Sequence, residues 1–344
     1  SSWGVMRSCA AWQRACGAAN GMVQALVRHI GTREALVVAS ILALGWTVRW
    51  WHLGTPSLWW DEIVHVRIAT QPTVPAVWRA AREGGAPGTG NAGAVPLDYL
   101  VLHAWLASTP APAPEAIERH YRMPAFTFAV AALPIAWAVG RALGGAAAGM
   151  LALGLLATSM PHVLYAAEAR FYSLYVLASL ANLATLIALV AAPSARRFLV
   201  FTAVAVAYVL SGLYGVFPVA AEYLVLAGLA WGAGGAAHDR RLLAAASASA
   251  LAVAGALALW IAPSTVTVSY GRGTPAGLDV RAAAEGLLLF FGGYVPWQAA
   301  GFGAALLLAP VVLRRDRVAR AVAVVFLLSA GALPVMVAIA YTKQ

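Results

Sequence analysis

Two adjacent carboxylates, Asp61 and Glu62, follow the run Ser57-Leu58-Trp59-Trp60 just after the first long apolar stretch of the chain. Carboxylates set among indole rings at a membrane surface sit in a reduced dielectric, which raises their pKa and sharpens their basicity. The same pair also suits a solvated helix N-terminus, where the helix dipole favours acids. A second constellation, Glu168-Ala169-Arg170-Phe171-Tyr172, opens a later apolar run. A helix N-terminus there offers unpaired N–H groups and Arg170 adds a bidentate fork, together a fit for a phosphate at headgroup level. Continuing that helix backward puts Glu168 and Tyr172 on one face, four residues apart. An Arg170 snorkelling to the interface with Glu168 as its partner accounts for the same residues.

Other charges are sparse. Arg119 and Arg122 flank the start of one apolar run, and Arg49 lies in the last turns of another. Charges inside apolar spans tend to be functional, an inference that snorkelling weakens near span ends. His65 and His103 are metal-ligand types, but no HExxH or paired-His spacing supports a metal site, and a solvated or hydrogen-bonded histidine is the plainer account. Glu222 falls within an apolar run, where it either pairs inside the bundle or faces a polar cavity.

The elements that must position these groups are membrane helices. Hydrophobic residues make up 62% of the chain and charged ones 10%, against roughly 25% charged in a soluble domain. High hydrophobicity excludes disorder. The sequence pI of about 10.1 does not imply nucleic-acid binding, because the arginines are strung between apolar runs instead of gathered on one face. Cys9 and Cys16 are too few for a disulfide framework or a four-ligand zinc site. The start at Ser-Ser-Trp and the end at Gln344, directly after an apolar run, fit a processed, trimmed or partial sequence.

Hydropathy predicts an all-α membrane bundle of about nine spans, near 35–53, 121–140, 146–164, 171–192, 198–212, 215–233, 242–262, 294–313 and 318–341. The domain organisation expected is a basic segment over 1–34, lying on the cytoplasmic membrane surface, and a polytopic domain over 35–341 with an external loop over 54–120. Arg141, Arg196–Arg197, the group from His238 to Arg241 and the group from Arg314 to Arg320 all become cytoplasmic under the positive-inside rule. Leu97 to Ser108 is too short to span and is expected to lie on, or dip into, the outer face. Glu62 to Thr70 and Val74 to Glu83 read as short amphipathic helices, with Gly84 to Gly93 as a linker. Nine acids then fall at or near the external side: Asp61, Glu62, Glu83, Asp98, Glu115, Glu118, Glu168, Asp279 and Glu285. A site that uses carboxylates would face outward.

Four blocks, in order, give the chain a family resemblance: Val48-Arg49-Trp50-Trp51-His52-Leu53-Gly54 through Trp60-Asp61-Glu62; Val95-Pro96-Leu97-Asp98-Tyr99-Leu100; Arg119 to Pro124 with Gly140-Arg141-Ala142-Leu143-Gly144; and Pro161-His162 through Glu168-Ala169-Arg170-Phe171-Tyr172. Over roughly residues 40 to 190 the succession resembles the GT-C class of polytopic glycosyltransferases, in particular protein O-mannosyltransferases and aminoarabinose transferases. Ser211-Gly212-Leu213-Tyr214-Gly215 stands where relatives often carry Thr-His-Tyr-Tyr, and Ala94-Val95 stands in place of a frequent His-Pro. The resemblance implies inverting transfer from a polyprenyl-phosphate sugar donor to a hydroxyl acceptor (protein, lipid or glycan) at the outer face of the membrane. It implies Asp61 as general base, Glu62 orienting it or the acceptor, Arg170 with Arg122 or Arg49 on the donor phosphate, and Glu168, Tyr172, Asp98, Tyr99 and His65 toward substrate. An acidic pair is also the oxygen donor set that Mg²⁺ or Mn²⁺ prefers. Two other function classes fit the composition: a transporter or flippase, which would tend to show internal repeats and charges at mid-membrane, and a non-catalytic binder of lipid-linked sugar.

Overall fold

The computed structural model describes residues 31–82, 96–231, 237–261, 318 and 321–325, and every regular element among them is helical. In chain order these are α1 (Thr32–His52), α2 (Trp60–Ala69), α3 (Val74–Arg82), α4 (Pro96–Ser108), α5 (Ile117–Thr158), α6 (Met160–Ala166), α7 (Tyr172–Ala191), α8 (Ala195–Ser211), α9 (Val216–Trp231) and α10 (Ala237–Ile261). Four segments are long and apolar enough to cross a membrane: Pro114–Thr158, Tyr172–Ala191, Leu213–Ala230 and Leu242–Trp260. α8, at 17 residues, is shorter than the ~20 that a span needs. The N-terminal basic segment, the 84–93 linker, the segment 263–282 with Tyr270, Arg272, Asp279 and Arg281, and the expected spans at 294–313 and 318–341 lie largely or wholly outside the described residues.

α5 is two helices in one run. Gly144 (φ −145°, ψ 19°) and Gly145 (φ 75°, ψ −168°) leave the helical region together. Gly145 adopts the only positive φ among the described residues, in a region essentially closed to side-chain-bearing residues. The two arms then fold back on each other. A Cβ at Gly140 would lie 2.7 Å from the Ala148 carbonyl, and one at Gly149 would lie 2.9 Å from that of Trp137. Small residues permit this approach, as they do between membrane helices generally. The spans predicted at 121–140 and 146–164 are therefore the two arms, with one correction. The second arm stops at Thr158, Ser159 is extended, and Pro161 near the start of α6 supplies no N–H to continue the ladder.

The carbonyls released by that break are taken by α1. Arg49 is fully buried; its Nη1 donates to Gly45 O (2.8 Å) and Ala157 O (3.1 Å), and its Nη2 to Leu156 O (2.9 Å) and His162 Nδ1 (2.6 Å). At the other end of α1, Glu34 pairs with Arg141 beside the glycine reversal. The bundle so acquires two chemically distinct ends. Arg141, Arg196 and Arg197 stand at one. The other gathers the end of α1, all of α2 to α4, the start of α5, and the α6–α7 turn. α4 has 13 residues, about 20 Å at the helical rise, and packs against α2, α3, α5 and α8 as a short helix. α7 to α10 close the bundle around Leu186, Leu189, Phe201 and Leu226.

Candidate functional site

The first turn of α2 carries Asp61 and Glu62, and helical geometry sends them to different neighbours. Glu62 is completely buried. Arg122, on α5, grips it as a fork: Nε donates to Oε1 and Nη2 to Oε2, each at 2.8 Å. The backbone N–H of Ala169 donates to Oε1 at 2.7 Å, and that of Trp59 to Oε2 at 3.2 Å. Arg122 also donates to Pro56 O at 2.7 Å and Ser57 O at 3.2 Å. One carboxylate thereby joins the loop after α1, α2, α5 and the α6–α7 turn. Four acceptor contacts on a sealed carboxylate are what its desolvation requires.

Asp61 faces outward and forms an ion pair with Arg170. The aspartate side chain is 37% exposed and the guanidinium 15%. Three rings surround Arg170, those of Tyr172 (5.2 Å), Trp59 (5.5 Å) and Phe171 (5.9 Å). Tyr172 in turn stacks on Tyr165 at 4.2 Å.

Glu168 lies between the two pairs. The helix does not continue backward from Tyr172: Phe171 is the cap of α7, and Arg170 N–H turns back to Glu168 O at 2.8 Å. Glu168 and Tyr172 are thus not on one helical face, and one backbone N–H of this segment, that of Ala169, is held by Glu62. The Glu168 Oε2 atom is buried without a hydrogen-bond partner among the described residues. Burial, reinforced by the charge of Glu62 and opposed by Arg170 and Arg122, raises the Glu168 carboxyl to about 7. Two carboxylates and two guanidiniums balance here. A neutral Glu168 leaves the cluster uncharged, and an ionised one leaves a single excess negative charge.

No family model, curated protein or solved structure matches this chain. The chemistry of the cluster must be read from its own atoms. Asp61, Glu62, Arg122, Glu168, Arg170 and Tyr172 converge at one end of the bundle. Arg122 and Arg49 do not reach an open position: both are buried, Arg122 donates to Glu62 and Pro56 O, and the two terminal nitrogens of Arg49 donate to Ala157 O and Leu156 O. His65, Asp98 and Tyr99 form a separate buried group in the α2–α4 contact. His65 Nε2 stands 2.7 Å from Asp98 Oδ2, and its ring stacks on Tyr99 at 4.1 Å. His103 Nδ1 contacts Ala69 O at 2.9 Å. Glu222 pairs within the bundle, accepting from Asn182 Nδ2 at 2.6 Å.

A divalent cation at Asp61 and Glu62 would have to displace both guanidiniums, and among the described residues no group of three or more His, Cys, Asp or Glu is arranged to hold a metal ion. Sequence reasoning missed Tyr165 and the Arg49–His162 contact. Neither carries a local signal, because each depends on the break at Ser159 that swings α6 back against α1 and α7.

Proposed function

We propose that this chain is a GT-C-type glycosyltransferase that moves a sugar from a polyprenyl-phosphate donor to a hydroxyl acceptor, with inversion, at the outer face of a membrane. The observation that carries this reading is the Asp61–Arg170 pair, a half-open carboxylate beside a guanidinium in an aromatic setting. Asp61 accepts the acceptor's hydroxyl proton as that oxygen bonds to the anomeric carbon. The bond from that carbon to the phosphate oxygen breaks on the opposite face, and the electron pair leaves on the phosphate. Arg170 turns from Asp61 to meet that charge, where a water-poor site strengthens the contact. Donor binding therefore also releases the base.

Glu62 and Arg122 hold Asp61 and Arg170 in register and act as positioning residues. Arg49 performs a similar service at the far end of α6 by fixing the corner from which that helix leads to Glu168. His65, Asp98 and Tyr99 support α2 from its inner side.

Sugar transfer by the purified protein in lipid, with a panel of polyprenyl-phosphate sugars and detection of released lipid phosphate, tests the reading. Asp61→Asn lowers turnover by a factor on the order of 10²–10⁴, the range of a positioned general base, while donor binding persists. Equal turnover in the two proteins overturns the base assignment. The ion pair also favours a second reading, a binder of lipid-linked sugar that does not transfer it, since a base neutralised by Arg170 is inert until released. Donor binding by wild type without turnover across the panel selects that reading.

A further inference from the structure

The charged groups of the site account for a phosphate and a proton, but not for a sugar ring. A pyranose presents a patch of C–H bonds on one face, whose hydrogens carry partial positive charge. An aromatic face carries the opposite sign and needs no hydrogen bond to exclude water. Two exposed indoles stand at the start of α2, and their settings differ.

Trp60, 66% exposed, begins the outer stripe of α2 with Ile63 and Arg67, a placement that suits a headgroup-level anchor. Trp59 lies outside the helix, with an extended backbone (φ −90°, ψ 170°) fixed by its N–H bond to Glu62. The Arg170 guanidinium lies 5.5 Å from its ring centre, the same guanidinium that pairs with Asp61. The residue nevertheless remains 46% exposed. Trp59 is thus a fixed, half-open platform one guanidinium away from the outer carboxylate.

From this geometry we infer that Trp59 is the platform on which the donor's sugar ring rests, a specificity-determining residue of the site. The inference rests on the lipid-phosphate-sugar reading above. Arg170 covers part of the indole, and the sugar takes the part left open. The class favoured is a pyranose with one unbroken C–H face to lay on the open part of the indole.

The test compares binding of polyprenyl phosphate, bare and carrying a neutral hexose, to the full chain in lipid as wild type, Trp59→Phe and Trp59→Ala. Trp59→Ala weakens the sugar-bearing ligand by about tenfold and leaves the bare lipid phosphate bound as in wild type; Trp59→Phe falls between. Equal weakening of both ligands makes Trp59 a mere support for Arg170 and overturns the platform, as does unchanged binding of the sugar-bearing one. Wild type that binds neither ligand overturns the donor reading itself.

Discussion

Glu62 and Asp61 are chain neighbours, yet Glu62 is sealed in a fork with Arg122 while Asp61 holds Arg170 at an opening. The inner pair has every lone pair and donor directed at protein and joins four segments of backbone. The outer pair has one ion-pair contact, aromatic rings around its guanidinium, and an aspartate with access to solvent. Desolvated charges are strongly interdependent, because removing one leaves the other uncompensated, whereas an exposed pair is screened and weak. The cluster thus divides its labour: the inner pair fixes geometry and the outer pair can exchange partners.

Arg122→Met attacks the inner pair and leaves Glu62 buried alone. It should destabilise the protein by ~3–5 kcal/mol, measured by denaturant unfolding in detergent; a loss no larger than that of an exposed pair would erase the distinction. Glu62→Gln keeps the shape and two acceptor contacts but strands the guanidinium, and about 2–3 kcal/mol is expected in the same assay.

Glu168 sharpens the comparison through pH. Its folded pKa of about 7 lies above the ordinary 4.5, so between those values the folded protein holds a proton that the unfolded chain has released. The contribution of Glu168 to stability is then fully present below pH 4.5 and is lost as pH rises toward 7. Binding of an anionic lipid phosphate should weaken over the upper part of that window as the cluster gains its excess negative charge. In Glu168→Gln both dependences should flatten. A slope that persists in that variant would assign the titration to another group.

The smallest expected effect on stability is that of Asp61→Asn, under about 1 kcal/mol. A large loss there would mean that the outer pair is structural too.

Much of the helical framework was legible in the chain. Long apolar runs bounded by arginine or glycine gave α1, the first arm of α5, and α7 to α10 to within a few residues, and the second arm of α5 with its end run past the break at Ser159, because in an apolar medium every backbone polar group must be paired within its own segment. The site was legible in residue types but not in assignments. Asp61, Glu62, Arg122, Glu168 and Arg170 all stood out as charges in an apolar chain, and the structure brings them together. Which charge faces which was hidden. Two adjacent carboxylates look equivalent in sequence, and an arginine at a span end reads the same whether it snorkels, binds a phosphate or closes a fork on Glu62.

Composition and periodicity alone determined that the chain is helical and apolar, with its acids crowded toward one end, since those properties follow from local hydrogen bonding and hydropathy. Tertiary structure alone decided that Ser159 breaks a predicted span, that Arg49 caps the broken end, and that Glu62 is buried while Asp61 is open. Those outcomes depend on contacts between segments about 60 to 110 residues apart, which bring together groups that no short stretch of sequence can pair.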